Sequence, residues 1–219
     1  MFFFRGCNLR CPWCHNRELI LENAGDLLTT EDGLAHIKKR KSVLGAVVLS
    51  GGEPCLYEEL PDIIGEIKKI KGPSLRVKLD TNGLFPAMLE KIFAREETRP
   101  DYIALDLKIA PNRYKELAGN APDRDLEDKL IQSAALIRES GIAHEYRTLA
   151  LPPGFITEKD IEALACLADD APWYFRSFRA GNCLDPAWNS LEENPAESAK
   201  FLKVLSEKAK KLGKQGIIV

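Results

Sequence analysis

Short continuous apolar runs alternate along the chain with longer segments in which apolar residues recur every three or four positions. The runs Phe2–Arg5, Ala46–Leu49, Leu75–Leu79, Tyr102–Leu105, Ala143–Leu149 and Trp173–Phe178 have the length and make-up of buried strands, and Ile217–Val219 reads as a last short one. Between them, Thr29-Thr30-Glu31-Asp32 opens a helix with Thr30 as its expected N-cap. Tyr57–Ile70 places Leu60, Ile63, Ile64 and Ile67 on one helical face, with Gly72-Pro73 as its stop. Pro86–Ala94 starts on a proline. Leu126–Glu139 ends at Ser140-Gly141, Thr157–Leu167 has a threonine cap, and Pro195–Lys211 is the longest helix. Repeated strand–helix units imply an α/β fold: a parallel sheet with right-handed crossovers and outer helices, in a single domain over residues 1–219. No repeat, linker or low-complexity stretch interrupts it.

Composition narrows the classes. A chain of 219 residues buries a core without disulfide staples. A net charge of −2 gives no electrostatic footprint for nucleic acid. No apolar run approaches the roughly 20 residues that cross a bilayer, and Met1–Arg5 is too short for a signal peptide. The expectation is a cytoplasmic protein that binds neither nucleic acid nor membrane.

The six cysteines are Cys7, Cys11, Cys14, Cys55, Cys166 and Cys183. The first three fall within eight residues as C-x3-C-x2-C, which favours a metal loop (7–14) over disulfides in this setting. A cubane iron–sulfur cluster takes four thiolates, so three leave one iron open. A zinc site with His15 as fourth ligand and a redox pair in Cys11-Pro-Trp-Cys14 stay open on these residues alone. The other three cysteines read as unligated small residues.

More polar motifs follow the strands: Ser50-Gly51-Gly52-Glu53, Asp80-Thr81-Asn82-Gly83, and Asp106-Leu-Lys108. In a β/α barrel the C-terminal ends of strands carry the site, so all would converge on one rim. Each has a plainer reading. Gly-Gly-Glu is a common turn, Asn-Gly a turn dipeptide, and Asp106 with Lys108 a structural ion pair. Arg147, at the end of the fifth strand, faces either the same cavity or solvent.

Taken together, these motifs resemble the radical S-adenosylmethionine (radical SAM) superfamily, and within it the activating enzymes of glycyl radical enzymes. The residues Cys14-His-Asn-Arg17, Ser50-Gly-Gly-Glu-Pro54, Asp80-Thr81 and Asp106/Lys108 carry the likeness over nearly the whole chain. It is strongest toward activating proteins of anaerobic ribonucleoside-triphosphate reductase, with pyruvate formate-lyase activating enzyme a further relative. The resemblance implies a partial (β/α)6 TIM-like barrel and a [4Fe–4S] cluster on Cys7, Cys11 and Cys14. The open iron would be chelated by S-adenosylmethionine, held by Asn16, Ser50, Gly51, Gly52, Glu53, Asp80, Thr81, Asp106 and Lys108. It implies no catalytic side chain beyond the cluster and cofactor, and a monovalent cation near Asp80 and Thr81. His15 would support the cluster loop. The implied partners are a glycyl radical enzyme as protein substrate and flavodoxin or ferredoxin as electron donor.

Two departures stand out. Members of that group usually carry some twenty residues before the first strand, and here Cys7 comes after six. The chain also lacks an inserted cysteine-rich domain, which disfavours the glycerol dehydratase type. The competing readings are a radical enzyme acting on a small molecule, similar to 7-carboxy-7-deazaguanine synthase, and a zinc-binding interaction module.

Overall fold

Strands form where the apolar runs fall: β1 (Phe2–Phe4), β2 (Ala46–Gly51), β3 (Arg76–Thr81), β4 (Tyr102–Asp106), β5 (Ala143–Ala150), β6 (Pro172–Ser177) and β7 (Gln215–Ile218). The computed structural model describes residues 1–21, 25, 27–70, 75–119, 125–152, 154–191 and 194–219. The seven strands make one parallel sheet in chain order, from β1 at one edge to β7 at the other. Helices lie between them: α1 (Arg17–Ile20), α2 (Thr30–Arg40), α3 (Leu60–Lys69), α4 (Pro86–Phe93), α5 (Leu126–Glu139), α6 (Glu158–Ala165) and α7 (Pro195–Lys211). This is the expected parallel sheet with outer helices, carried one strand beyond six.

The sheet's two faces differ in chemistry. Val77 and Leu79, Ile103 and Leu105, Tyr146, and Trp173 and Phe175 are buried in one apolar cluster with Ile64, Leu89, Leu130, Ile161 and Leu205 of the helices. The intervening positions are Asp80, Asp106, Arg147 and Arg176, which line a cavity instead. Side-chain alternation along each strand thus separates core from site.

Three boundaries differ from expectation for local reasons. Thr29, not Thr30, caps α2: its hydroxyl accepts from Asp32 N at 3.1 Å, and Asp32 returns the bond to Thr29 N at 3.2 Å, closing a capping box. Helix α3 begins at Leu60 because Tyr57 is used elsewhere. It ends the 3-10 turn Pro54–Leu56, and its hydroxyl donates to Arg5 O at 2.9 Å. The expected stop Gly72-Pro73 lies outside the described residues. The strands also run further than their apolar runs, so that Ser50, Asp80, Thr81 and Asp106 belong to strand ends.

Helix α6 is anchored by a residue that periodicity does not single out. Asp160 is 2% exposed. One oxygen accepts from Ala110 N at 2.9 Å and Arg113 Nη1 at 2.7 Å; the other accepts from Thr157 N at 2.8 Å and Thr157 Oγ1 at 2.7 Å. Burial alone would raise its pKa, but these donors outweigh burial and hold it below the ordinary value. A depressed carboxyl contributes stability above its unfolded pKa and loses it as pH falls through the folded value. Asp160→Ala is expected to cost about 2–4 kcal/mol in urea denaturation at pH 7. The gap should begin to shrink below about pH 4, the range of the unfolded carboxyl, and close further as pH falls through the lower native value. A gap that stays constant with pH contradicts this account.

Candidate functional site

The loop after β1 carries the three cysteines, and Gly6 starts it with a φ of 79°. Its carbonyl accepts from Glu53 N at 2.9 Å, so the cysteine loop is stitched to the turn after β2. That contact explains Gly52. A Cβ there would stand 1.8 Å from Gly6 O, so only glycine lets the two loops meet. Asn16 Nδ2 donates to Gly51 O at 2.9 Å and ties the far end of the cysteine loop to the same turn.

The loops after the first four strands and the strand ends of β5 and β6 surround one cavity of about 550 Å³. Cys7, Cys11, Cys14, His15, Asn16, Ser50, Gly51, Gly52, Glu53, Asp80, Thr81, Asp106, Lys108 and Arg147 all line it. All twelve residues expected at the site from sequence therefore come together there. Of the two open cases, His15 sits at the rim with Nε2 donating to Arg179 O at 2.8 Å. Arg147 faces the cavity, not solvent.

Burial dominates the electrostatics of the thiols. It raises all three, Cys11 to about 12, against the lowering field of Lys108. Thiolates would persist here only with cationic ligation. Among the described residues, no three His, Cys, Asp or Glu side chains converge as ligands of one ion. Cys7, Cys11 and Cys14 nevertheless line the same cavity, and a four-iron cluster takes each thiolate on a different iron.

Charges on the opposite wall are paired. Register sets Asp106 beside Arg147. Arg147 Nε bonds Asp106 Oδ1 at 3.0 Å, Arg147 Nη1 bonds Asp80 Oδ2 at 3.2 Å, and Lys108 Nζ bonds Asp106 Oδ2 at 3.2 Å. Burial would raise Asp106, and Lys108 and Arg147 together hold it below its ordinary value. Asp80 Oδ1 is buried with no hydrogen-bond partner. A buried acceptor left open in a polar cavity fits an incoming ammonium or hydroxyl donor.

Two expected roles are modified. Glu53 does not offer its carboxylate to the cavity freely. It is 1% exposed and accepts from Thr81 Oγ1 at 2.8 Å, Cys55 N at 3.0 Å and Asn82 N at 2.7 Å. Burial pushes it up while these donors pull it down, and burial prevails. The Thr81 hydroxyl, expected beside a cation, is turned to Glu53 and accepts from Gly83 N at 3.1 Å.

Periodicity left four residues unassigned. Tyr114, fully buried in the 3-10 turn Pro111–Leu117, accepts from Lys108 N at 3.0 Å and donates to Asp106 O at 3.3 Å, fixing the backbone between those two charges. Thr148 donates to Leu107 O at 2.6 Å and accepts from Trp173 Nε1 at 2.9 Å. Arg176 and Arg179 add positive charge to the mouth. Alternation from Tyr174 could have found Arg176; nothing local marks the others.

The sequence profile of the radical SAM superfamily matches residues 1–168. The chain is 30% identical over 213 residues to the "Putative glycyl-radical enzyme activating enzyme" of Methanocaldococcus jannaschii, covering 96% of this chain and 84% of that protein. It is 29% identical over 174 residues to GTP 3',8-cyclase of Microcystis aeruginosa, covering 78% of this chain but 52% of the cyclase. Pyruvate formate-lyase activating enzymes of Clostridium pasteurianum and Escherichia coli match as well. Among solved structures, "Native anSMEcpe with bound AdoMet" superposes with a TM-score of 0.67 at 15% identity, over 98% of this chain and 62% of that one. That likeness shows a shared fold.

Proposed function

The chain belongs to the radical SAM superfamily, and we propose that it activates a glycyl radical enzyme by removing a hydrogen atom from a backbone glycine of that partner. Its cofactors are a [4Fe–4S] cluster and S-adenosylmethionine. Bound together, these supply reductive carbon–sulfur cleavage and a carbon-centred radical that takes hydrogen; the protein positions and tunes them. The observation that carries the proposal is the convergence of every strand-end motif on one cavity.

In this reading Cys7, Cys11 and Cys14 each hold one iron. The glycine backbone of residues 51 and 52 lets the methionine end approach closely, with Asn16 and Ser50 beside it. Glu53 acts mainly by bracing the turns after β2 and β3. The open Asp80 oxygen accepts from the cofactor's amino or ribose groups. Lys108 and Arg147 set a positive field for its carboxylate. Arg147 already supplies a full charge beside Asp80, so a monovalent cation there would share Asp80 Oδ1 with the cofactor.

Anaerobic ribonucleoside-triphosphate reductase is the proposed partner, reached in the cytoplasm, with a flavodoxin or ferredoxin as donor. Among the described residues no helix is long and apolar enough to cross a membrane. The test is anaerobic incubation with reductant, S-adenosylmethionine and the candidate reductase, followed by electron paramagnetic resonance (EPR). The expected result is a glycyl radical doublet on the partner. Cofactor cleavage without a radical on any glycyl radical enzyme sinks the reading. It would favour a small-molecule substrate, the alternative to which the GTP 3',8-cyclase match lends weight.

A further inference from the structure

The two halves of the cysteine loop are held by different parts of the molecule. The Cys7 half is fixed by the turns after β2 and β3 and by the 3-10 turn after β4: Gly6 O takes Glu53 N, Asn8 Oδ1 takes Asn82 Nδ2 at 2.8 Å, and Arg10 N donates to Leu117 O at 2.7 Å. The Cys14 half is fixed chiefly by the segment that leaves β6, residues 178–191. Asp185 N donates to Pro12 O at 3.0 Å, Asn182 Nδ2 donates to His15 O at 3.2 Å, and His15 reaches back to Arg179 O. The Trp13 ring, between Cys11 and Cys14, rests on Trp188 with centroids 5.4 Å apart.

Trp188 is the centre of that packing. It is 5% exposed and contacts the rings of Phe155 at 4.4 Å and Phe178 at 5.5 Å as well as Trp13. The segment around it is braced internally. Cys183 N donates to Asn189 Oδ1 at 2.6 Å, Asp185 Oδ1 caps Ala187 N at 2.9 Å, and Asn182 sits at a φ of 55°. Its first residues also form the cavity wall, through Arg179.

We infer that residues 178–191 are a positioning strap that clamps the Cys14 half of the cluster loop, with Trp188 as the residue that seats Trp13. The inference rests on the reading of Cys7, Cys11 and Cys14 as cluster ligands. A strap of this kind keeps the third thiolate in place and keeps water off the cluster. Solvent exposure and hydrogen bonding at the sulfurs are what set cluster lability and potential.

The test uses the full chain, reconstituted anaerobically, as Trp188→Ala, Trp188→Phe and Asn182→Gly. Glycine tolerates the positive φ of residue 182, so that variant removes the bond to His15 without backbone strain. The readouts are the rate of iron loss to a chelator and the EPR spectrum of the reduced cluster before and after S-adenosylmethionine. Trp188→Ala is expected to lose iron about 10- to 100-fold faster and to show an altered spectrum. Trp188→Phe should restore most of the retention, and Asn182→Gly should fall between, with its metal-free melting temperature unchanged. Iron loss at the unsubstituted rate and an unchanged spectrum in both Trp188→Ala and Asn182→Gly overturn the strap; if the alanine variant does not fold, Asn182→Gly decides alone. If the unsubstituted chain takes up no cluster, the ligand reading fails and the strap falls with it.

Discussion

Cys11→Ser is expected to leave a folded chain that retains at least about tenfold less iron, since even outer partners of metal ligands are worth 10- to 100-fold, and to abolish cofactor cleavage. Cys11 is the most deeply placed of the three thiols, at 7% exposure. Burial lifts its pKa to about 12, so the thiolate exists there only when iron compensates for lost solvation. Serine has the same shape and no tendency to bind iron as an alkoxide at neutral pH. In the metal-free chain the change buries a hydroxyl in place of a thiol, a cost of about 1–3 kcal/mol. Circular dichroism should therefore be native while the charge-transfer absorption of the cluster disappears. Cys7→Ser and Cys14→Ser should behave alike, and Cys166→Ser, at an exposed position, should change nothing. Full iron content in Cys11→Ser would show that the ligands lie elsewhere.

The largest effect on stability is expected from Arg147→Ala, at about 3–5 kcal/mol, because it leaves the buried Asp80 carboxylate, and the half-buried Asp106 one, without their counter-charge. One guanidinium bridges Asp80 and Asp106 from two different nitrogens. Lysine cannot reproduce that fork, so Arg147→Lys should recover little. The pH dependence follows from Asp106, whose pKa Lys108 and Arg147 depress against burial. Such a group contributes stability above its unfolded pKa and loses it as pH falls through the depressed native value. The deficit of Arg147→Ala should therefore be full at pH 7 and begin to diminish below about pH 4, the range of the unfolded carboxyl, as pH falls toward the depressed native value of Asp106. Urea titrations at the two pH values measure it. Combining Arg147→Ala with Asp106→Asn should cost less than the sum of the two single changes, and strict additivity would refute the coupling.

The parts of this protein that local pattern determines were legible beforehand. The end of α5 and the start of α7 are legible because Gly141 follows the one and Pro195 opens the other. The site motifs were legible because a parallel sheet puts every strand's C-terminal end on one rim, so order in sequence becomes proximity in space. What stayed hidden depends on distant partners. Whether Arg147 faced the cavity turned on the register of β4 against β5. The bracing role of Glu53 stayed hidden because two of its three donors, Thr81 and Asn82, come from the end of another strand and the turn after it. Tyr114 and Trp188 lie in 3-10 turns, which carry no periodic signal. Thr29 and Thr30 are equally good caps by type, and Asp32 decides between them by its distance along the chain.

The strictly sequential strand order has a kinetic consequence. Each strand pairs with the one before it in the chain, across a single crossover, and among the described residues β1 and β7 form no ladder with each other. A closed barrel must join its first and last strands, a loop closure spanning nearly the whole chain, whose entropic cost grows as the logarithm of its length. This sheet can grow by successive addition of neighbours, so each pairing closes the loop of one crossover only. Folding should then proceed without a late ring-closing step, and the gap between β1 and β7 persists as an open seam in the finished molecule.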